Sequence, residues 1–320
     1  MTKKVRWGFL STARINGKVL PPVHRSPSCE AAAVASRDLG RAQKFAADWK
    51  IPTAYGSYEA LLADPTIDVI YNPLPNHLHM EWTVKALEAG KHVLCEKPLA
   101  LTMAEVDAII AAVKRTGRFA AEAFMYRHHP QTLRVKELVN AGEIGELVLM
   151  NGSFTFFNED PGDIRLVKAM GGGSLWDVGC YPVTYANLIA GGAPVAYKAQ
   201  QVVTSDGTDL SFTGLMRYEN GALAHVDSSF AVPYQTRFEI KGTRGTILIP
   251  RPFSPQGWTK IHILKDEQER MERFYAADLY RGEVEDMNAV ARSEKTPFLT
   301  LEESRANIGT LTALYAAAEK

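Results

Sequence analysis

Two stretches of this chain carry side chains that chemistry at an alcohol or carbonyl would need. In His92-Val93-Leu94-Cys95-Glu96-Lys97-Pro98, an ionic pair and a proline follow an apolar, strand-like run. A lysine at the carboxyl end of a strand can donate to a carbonyl oxygen or lower the proton affinity of a neighbouring hydroxyl. A solvated Glu96–Lys97 ion pair is the plain alternative. In Gly171-Gly172-Gly173-Ser174-Leu175-Trp176-Asp177-Val178-Gly179-Cys180-Tyr181-Pro182, a carboxylate and a phenol stand four residues apart after a glycine run. That spacing places both on one face of a helical turn. An Asp177 helix cap and a packing Tyr181 would fit the same residues.

A third stretch concerns phosphate. The first apolar run ends in Gly8-Phe9-Leu10-Ser11-Thr12-Ala13, in the place of a G-x-G-x-x-G/A turn whose following helix offers free amides to a pyrophosphate. The first glycine is present, the last is the tolerated alanine, and the middle one is Leu10. The second strand ends at Ala35-Ser36-Arg37-Asp38, where the adenosine ribose is expected. Ser36, Arg37 and, one turn on, Arg41 suit a 2′-phosphate held by charge-assisted hydrogen bonds. The expected cofactor is therefore NADP, with Asp38 leaving NAD possible; a solvated Arg37 is the bland alternative.

Behind these stretches lies a change of pattern along the chain. Up to about residue 125, strand-like runs at 5–10, 31–36, 69–72, 92–95 and 118–121 alternate with helical periodicities at 41–49 and 80–89. Another helix, with Met103, Val106, Ile109, Ile110 and Val113 at steps of three and four, opens on a Thr102-x-x-Glu105 capping box. Such alternation predicts a Rossmann-type, doubly wound parallel sheet. From about 145, runs at 146–157, 196–204, 210–218, 222–232, 237–241, 246–250 and 260–264 predict a large, mostly antiparallel open sheet. Asn220-Gly221 and Thr243-Arg244-Gly245 serve as hairpin turns. Helices are expected near 182–190 and 280–292, and a last one after the Thr300-x-x-Glu303 capping box. His129-Pro130 is taken as a turn closing a strand. The fold class is α/β with a second, α+β domain; the expected domains are 1–125 and 126–320, the last helix packing back on the first.

Composition excludes several classes of partner. The chain has 320 residues, with 36 Lys+Arg against 36 Asp+Glu, so it lacks the basic footprint of nucleic-acid or membrane-surface binding. No apolar run reaches the roughly 18 residues of a membrane helix. Cys29, Cys95 and Cys180 have neither disulfide nor zinc spacing, and the N-terminal apolar run is too short for a signal peptide. A cytoplasmic chain is expected. His77 and His79, at i, i+2 without a carboxylate partner, are not expected to hold a metal.

The whole chain resembles the Gfo/Idh/MocA family of glucose–fructose oxidoreductase and inositol dehydrogenase. The matching residues are Glu96-Lys97-Pro98, Pro75-Asn76-x-x-His79, Phe124-Met125-Tyr126-Arg127-His128-His129-Pro130, Gly142-Glu143-Ile144-Gly145, and Gly171-Gly172-Gly173 leading to Asp177 and Tyr181. The resemblance implies that Lys97 is the catalytic lysine and that Asp177 and Tyr181 complete the catalytic set. Tyrosine at the latter position, where many members carry histidine, is similar to the subgroup of dimeric dihydrodiol and D-xylose dehydrogenases, and is implied to be the acid/base. Cofactor contacts are implied at Gly8, Ser11, Thr12, Ala13, Arg14, Ser36, Arg37, Arg41, Pro73, Asn76, His79, Glu96 and Lys97, with His79 lining the nicotinamide. Substrate contacts are expected at Tyr126, Arg127, Arg165, Asp177 and Tyr181, Arg165 lying in a loop that could close over the site.

The implied reaction is hydride transfer between NADP(H) and a sugar or cyclic polyol, most simply oxidation of an aldose at C1 to its lactone. Ketosugar reduction, inositol oxidation and trans-dihydrodiol oxidation are alternatives at the same site. A non-catalytic NAD(P)-binding sensor is the alternative of another class; the presence of Lys97, Asp177 and Tyr181 together speaks against it. Strands at 210–218 and 222–232 are apolar on both alternations, so a homodimer or higher oligomer through the second sheet is expected.

Overall fold

The structure is a computed structural model and describes residues 3–160 and 162–318. The chain forms two compact units, Met1–Met125 with Tyr280–Ser304, and Tyr126–Leu279 with Arg305–Lys320.

The first unit is built on six parallel strands: β1 (Val5–Leu10), β2 (Cys29–Ala35), β3 (Thr53–Tyr55), β4 (Val69–Asn72), β5 (His92–Glu96) and β6 (Ala120–Ala123). Their order is β3-β2-β1-β4-β5-β6, so the direction of winding reverses between β1 and β4, where such sheets bind ligands. Helices Asn16–Arg25, Leu39–Trp49, Tyr58–Leu62, His79–Glu88 and Met103–Thr116 connect them. Continuous apolar runs become strands here because helices cover both faces. Trp7 and Phe9 pack into one cluster with Val19, Val34 and Tyr71. Gly8 points the other way, where a Cβ would lie 2.9 Å from Leu61 and 3.0 Å from Ile70. The Thr102–Glu105 capping box forms as expected. The expected strands lie within two residues of the observed ones, whereas β3 and the helix Tyr58–Leu62 are too short for periodicity to reveal.

The last helix, Leu301–Ala318, expected to pack on this first unit, lies from Arg305 onward in the second unit, whereas the helix before it, Arg281–Ala291, belongs to the first. Its Val284, Met287 and Val290 enter the same core cluster as Trp7. The Trp7 indole N–H donates to Asn288 Oδ1 at 2.8 Å.

In the second unit, eight strands form one sheet: β7 (Leu147–Thr155), β8 (Ala196–Val203), β9 (Asp209–Arg217), β10 (Leu223–Ser229), β11 (Gln235–Gly242), β12 (Gly245–Ile249), β13 (Gly257–Lys265) and β14 (Gln268–Ala276). The order is β14-β13-β12-β11-β7-β10-β9-β8, with only the β7–β10 pair parallel. Both expected hairpins are present. Strand β14, QERMERFYA, was not expected; its edge position leaves most of its charged residues in water and hides the apolar alternation. His129-Pro130 is not a turn closing a strand. His129 Nδ1 accepts from the Gln131 amide at 3.0 Å and caps the helix Pro130–Asn140, with Pro130 in the first turn. The helix Cys180–Ala190 is apolar on all sides because it is buried on all sides from Cys180 to Ile189.

Candidate functional site

In the first unit, the expected cofactor residues gather at the carboxyl ends of four strands. After β1, Leu10 is fully buried, and the sharp turn falls one residue later, at Ser11, which adopts a left-handed φ of 64°. The Ser11 carbonyl accepts from Asn16 Nδ2 at 2.9 Å and its hydroxyl accepts from the Ala13 amide at 3.3 Å. These two bonds hold a backbone conformation that glycine would usually supply. The departure at Leu10 therefore fills core space. Helix Asn16–Arg25 follows, with no side-chain cap and no acid in its first turn. Its positive end is left to complement an anion such as a pyrophosphate. Gly8, two residues back inside β1, has the packing role described above.

After β2, Ser36 is nearly buried and its hydroxyl accepts from the Asp38 amide at 3.3 Å, while Arg37 and Arg41 are exposed. Asp38 caps helix Leu39–Trp49, its Oδ1 accepting from the Arg41 amide at 2.7 Å. The carboxylate that left NAD in play thus has a helix end to satisfy, and Arg37 and Arg41 flank it in the sequence. Residues fit for a dinucleotide with a 2′-phosphate are in place.

After β4 come Pro73, Leu74 and Pro75, then a short turn of helix at Asn76–Leu78. His79 follows, and both its ring nitrogens are occupied: Nδ1 lies 2.7 Å from the Pro98 carbonyl oxygen and Nε2 2.6 Å from that of Leu74. At 1% exposure, burial pushes the imidazole pKa down to about 4, so the neutral ring donates to one of the two carbonyls. No polar atom of His79 remains to line a nicotinamide. After β5, Glu96 accepts a hydrogen bond from the buried Tyr71 hydroxyl. Lys97 follows it half-buried, and the Lys97–Pro98 peptide is cis.

The second unit holds the rest of the expected residues. Leu175–Gly179 is wound as a π-helical turn that leads into Cys180–Ala190. Asp177 accepts from Arg165 Nε at 2.8 Å, and Arg165 also pairs with Asp163 at 3.2 Å. These carboxylates, Asp177 foremost, hold the guanidinium pKa above its ordinary value. Arg165 is thereby fastened to the catalytic candidate itself. Tyr181 is 6% exposed and packs against Tyr126, Phe154 and Phe253, with ring centroids 5.9, 5.4 and 5.7 Å away. Tyr126 is fully buried and its hydroxyl is 2.8 Å from Thr184 Oγ1. That places Tyr126 in the wall supporting Tyr181. Arg127 is 4% exposed.

One cluster has no counterpart in the sequence reading. Asp209, at the start of β9, accepts from the Ser174 hydroxyl, the Leu175 amide and the Tyr315 hydroxyl at 2.8, 2.8 and 2.6 Å. It anchors the entry to the π-helical turn. The signal was the glycine run: Gly173 has φ 129°, and a Cβ there would fall 2.1 Å from Asp209 Oδ1.

Comparison with known proteins places these features in context. The family model described as oxidoreductase family, NAD-binding Rossmann fold, matches residues 5–124, and that of the GFO/IDH/MocA C-terminal domain matches 132–248. A D-xylose 1-dehydrogenase (NADP(+)) of Haloferax volcanii is 40% identical over 98% of this chain and 97% of its own. A trans-1,2-dihydrobenzene-1,2-diol dehydrogenase of Xenopus tropicalis is 32% identical over 83% of this chain and 80% of its own. Among solved structures, a 3-ketoreductase from Actinomadura kijaniata, carrying a tyrosine-to-phenylalanine change and bound to TDP-benzene and NADP, superposes with a TM-score of 0.92. It is 29% identical and covers 98% of each chain; the same enzyme has been solved with a lysine changed to alanine. With both halves of the family pattern matched and the parallel and antiparallel sheets in place, the chain belongs to the Gfo/Idh/MocA family of oxidoreductases.

Proposed function

We propose that this oxidoreductase uses NADP(H) and a sugar or related cyclic polyol, oxidising an aldose at C1 to the lactone. One observation carries the reading: the carboxyl ends of β1, β2, β4 and β5, around the point where the sheet's winding reverses, bear the groups a dinucleotide dehydrogenase needs. Arg37 and Arg41, with Asp38 engaged as a helix cap, favour the phosphorylated cofactor. The D-xylose dehydrogenase relative favours an aldose. In the related 3-ketoreductase, the lysine and the tyrosine chosen for substitution are separated by the same number of residues as Lys97 and Tyr181, which supports giving those two the central roles.

When bound, the nicotinamide supplies the acceptor for the hydride that leaves the carbinol carbon. Tyr181 takes the hydroxyl proton, and in the reverse direction returns it. A phenol has an ordinary pKa near 10 and serves as a base near neutrality only beside positive charge. Lys97 is assigned as that charge and as donor to the substrate oxygen. Asp177, fixed by Arg165, orients a substrate hydroxyl. Glu96 and Tyr71 form the polar support next to Lys97.

Among the described residues no helix is long and apolar enough to cross a membrane. Cys29, Cys95 and Cys180 are buried and form no disulfide, which suits the reducing cytoplasm where we place the enzyme. Val148, Leu215, Leu223 and Trp258 are exposed on strands of the second sheet; we assign that sheet to a homodimer. The reaction is tested by following NADPH absorbance across aldoses, ketosugars, inositols and dihydrodiols with both cofactors. Turnover with D-xylose or D-glucose and NADP⁺ is expected; cofactor binding without turnover of any candidate would overturn the proposal in favour of a sensor.

A further inference from the structure

The chain leaves β5 after Glu96, so the backbone beyond Lys97 has no strand neighbour to satisfy it. Two side chains from other elements take over. Glu122, in the middle of β6, accepts the Leu99 amide on its Oε1 at 2.9 Å. His79, the first residue of its helix, meets the Pro98 carbonyl oxygen at 2.7 Å and the Leu74 carbonyl oxygen at 2.6 Å. Consecutive residues after Lys97 therefore face two side chains: Glu122 holds the Leu99 amide, and the neutral His79 ring sits between the Pro98 and Leu74 carbonyls and donates to one of them.

A carboxylate is an expensive choice for this position. Glu122 is 3% exposed and sits in the strand sequence Ala-Ala-Glu-Ala, opposite Cys95 in the neighbouring strand. Burying an ionised group costs several kcal/mol unless charge-assisted bonds offset it. The sheet itself needs only an apolar side chain there. What the carboxylate does that an apolar residue cannot is hold the Leu99 amide.

We propose that Glu122, with His79, is a positioning residue for Lys97: it fixes the backbone two residues beyond the lysine and so sets where the ammonium group points. The proposal rests on Lys97 being catalytic, as assigned above. Displacing a catalytic group by about 1 Å can cost about 100-fold in rate, while the cofactor-binding turns after β1 and β2 lie elsewhere along the sheet.

The test compares Glu122→Leu, Glu122→Gln and Lys97→Met in the full-length protein, measuring kcat and the NADP⁺ dissociation constant by tryptophan fluorescence. Glu122→Leu is expected to lower kcat by about 100-fold with the dissociation constant within about twofold of the parent. Glu122→Gln keeps an acceptor oxygen for the Leu99 amide and is expected to recover most of that loss. In a Lys97→Met background, Glu122→Leu should cost nothing further, because its effect runs through the lysine. Glu122→Met replaces Leu if that variant does not fold. Full activity in the apolar variants, no rescue by glutamine, or a parallel loss of cofactor binding would each overturn the proposal. Unchanged turnover in Lys97→Met would instead overturn the catalytic lysine, and the positioning role with it; a dead Lys97→Met beside a fully active Glu122→Leu sinks the positioning role alone.

Discussion

The Tyr315 hydroxyl donates to Asp209 Oδ1 at 2.6 Å, joining the last helix to the carboxylate that anchors the π-helical turn carrying Asp177. Burial raises the Asp209 pKa, while bonds from Tyr315, the Leu175 amide and Ser174 oppose that shift. Removing one donor to a buried carboxylate costs about 2 kcal/mol, so Tyr315→Phe should lower stability by that order in urea denaturation. Asp209→Ala strands three donors at once and should cost about 3 kcal/mol or more. Because Asp209 also holds the Leu175 amide, Asp209→Ala should lower kcat as well, and a variant of full activity would show that the π-helical turn does not depend on it.

The proposed preference for NADP is assigned to two exposed arginines. If Arg37 and Arg41 hold the 2′-phosphate, Arg37→Ala should raise the KM for NADP⁺ by roughly 10-fold or more, the worth of one charge-assisted contact, and leave the KM for NAD⁺ within about twofold. Arg41→Ala should act in the same direction. An unchanged ratio of the two KM values in the double variant would mean that the phosphate is held elsewhere.

Lys97 and Tyr181 are assigned to the same proton, so their removal should not be additive. Lys97→Met and Tyr181→Phe should each lower kcat by at least about 100-fold, and the double variant should lose little more than the worse single one. Tyr181→Phe removes only the hydroxyl and preserves the ring packing against Tyr126, Phe154 and Phe253, so its melting temperature should remain close to the parent's. Independent, multiplying losses would separate the two residues into different steps.

How far the sequence reaches is visible at these same residues. The positions of Lys97, Arg37 and Ser36 at strand ends were legible because each follows an apolar run, and strand ends are a local signal. The glycine run before Asp177 and Tyr181 marked a turn, but Asp177 lies in a π-helical turn and Tyr181 in the α-helix that follows it, a division made by packing that spacing does not encode. Tyr126 and His79 carry suitable chemistry yet are taken up by Thr184 and by two backbone carbonyls, partners visible only in three dimensions. Glu122 and Asp209 were missed for the converse reason. Each is a single polar residue in or beside a strand, and its partner lies 23 and 106 residues away. The helix Arg281–Ala291 shows the same limit at the scale of the fold: its amphipathic period was legible, but not that Trp7 would be its partner.

Acid should destabilise the fold through its buried histidines. Burial lowers the pKa of His79, His92 and His129 to about 4 each, against an ordinary value near 6.5. The unfolded chain therefore binds more protons than the native one below pH 6.5. The histidine contribution is fully present above that pH and is lost as pH falls towards 4. Two of the rings use Nδ1 as an acceptor, His92 from the Phe119 amide at 3.2 Å and His129 from the Gln131 amide at 3.0 Å, and protonation would break both bonds. His129→Asn isolates one of them, since asparagine caps a helix well without titrating. That variant should match the parent at pH 7 and exceed it by about 2 kcal/mol at pH 5, the linkage of one such group. Urea midpoints at the two pH values measure the difference, and equal pH dependence in parent and variant would show that His129 is not protonated on unfolding.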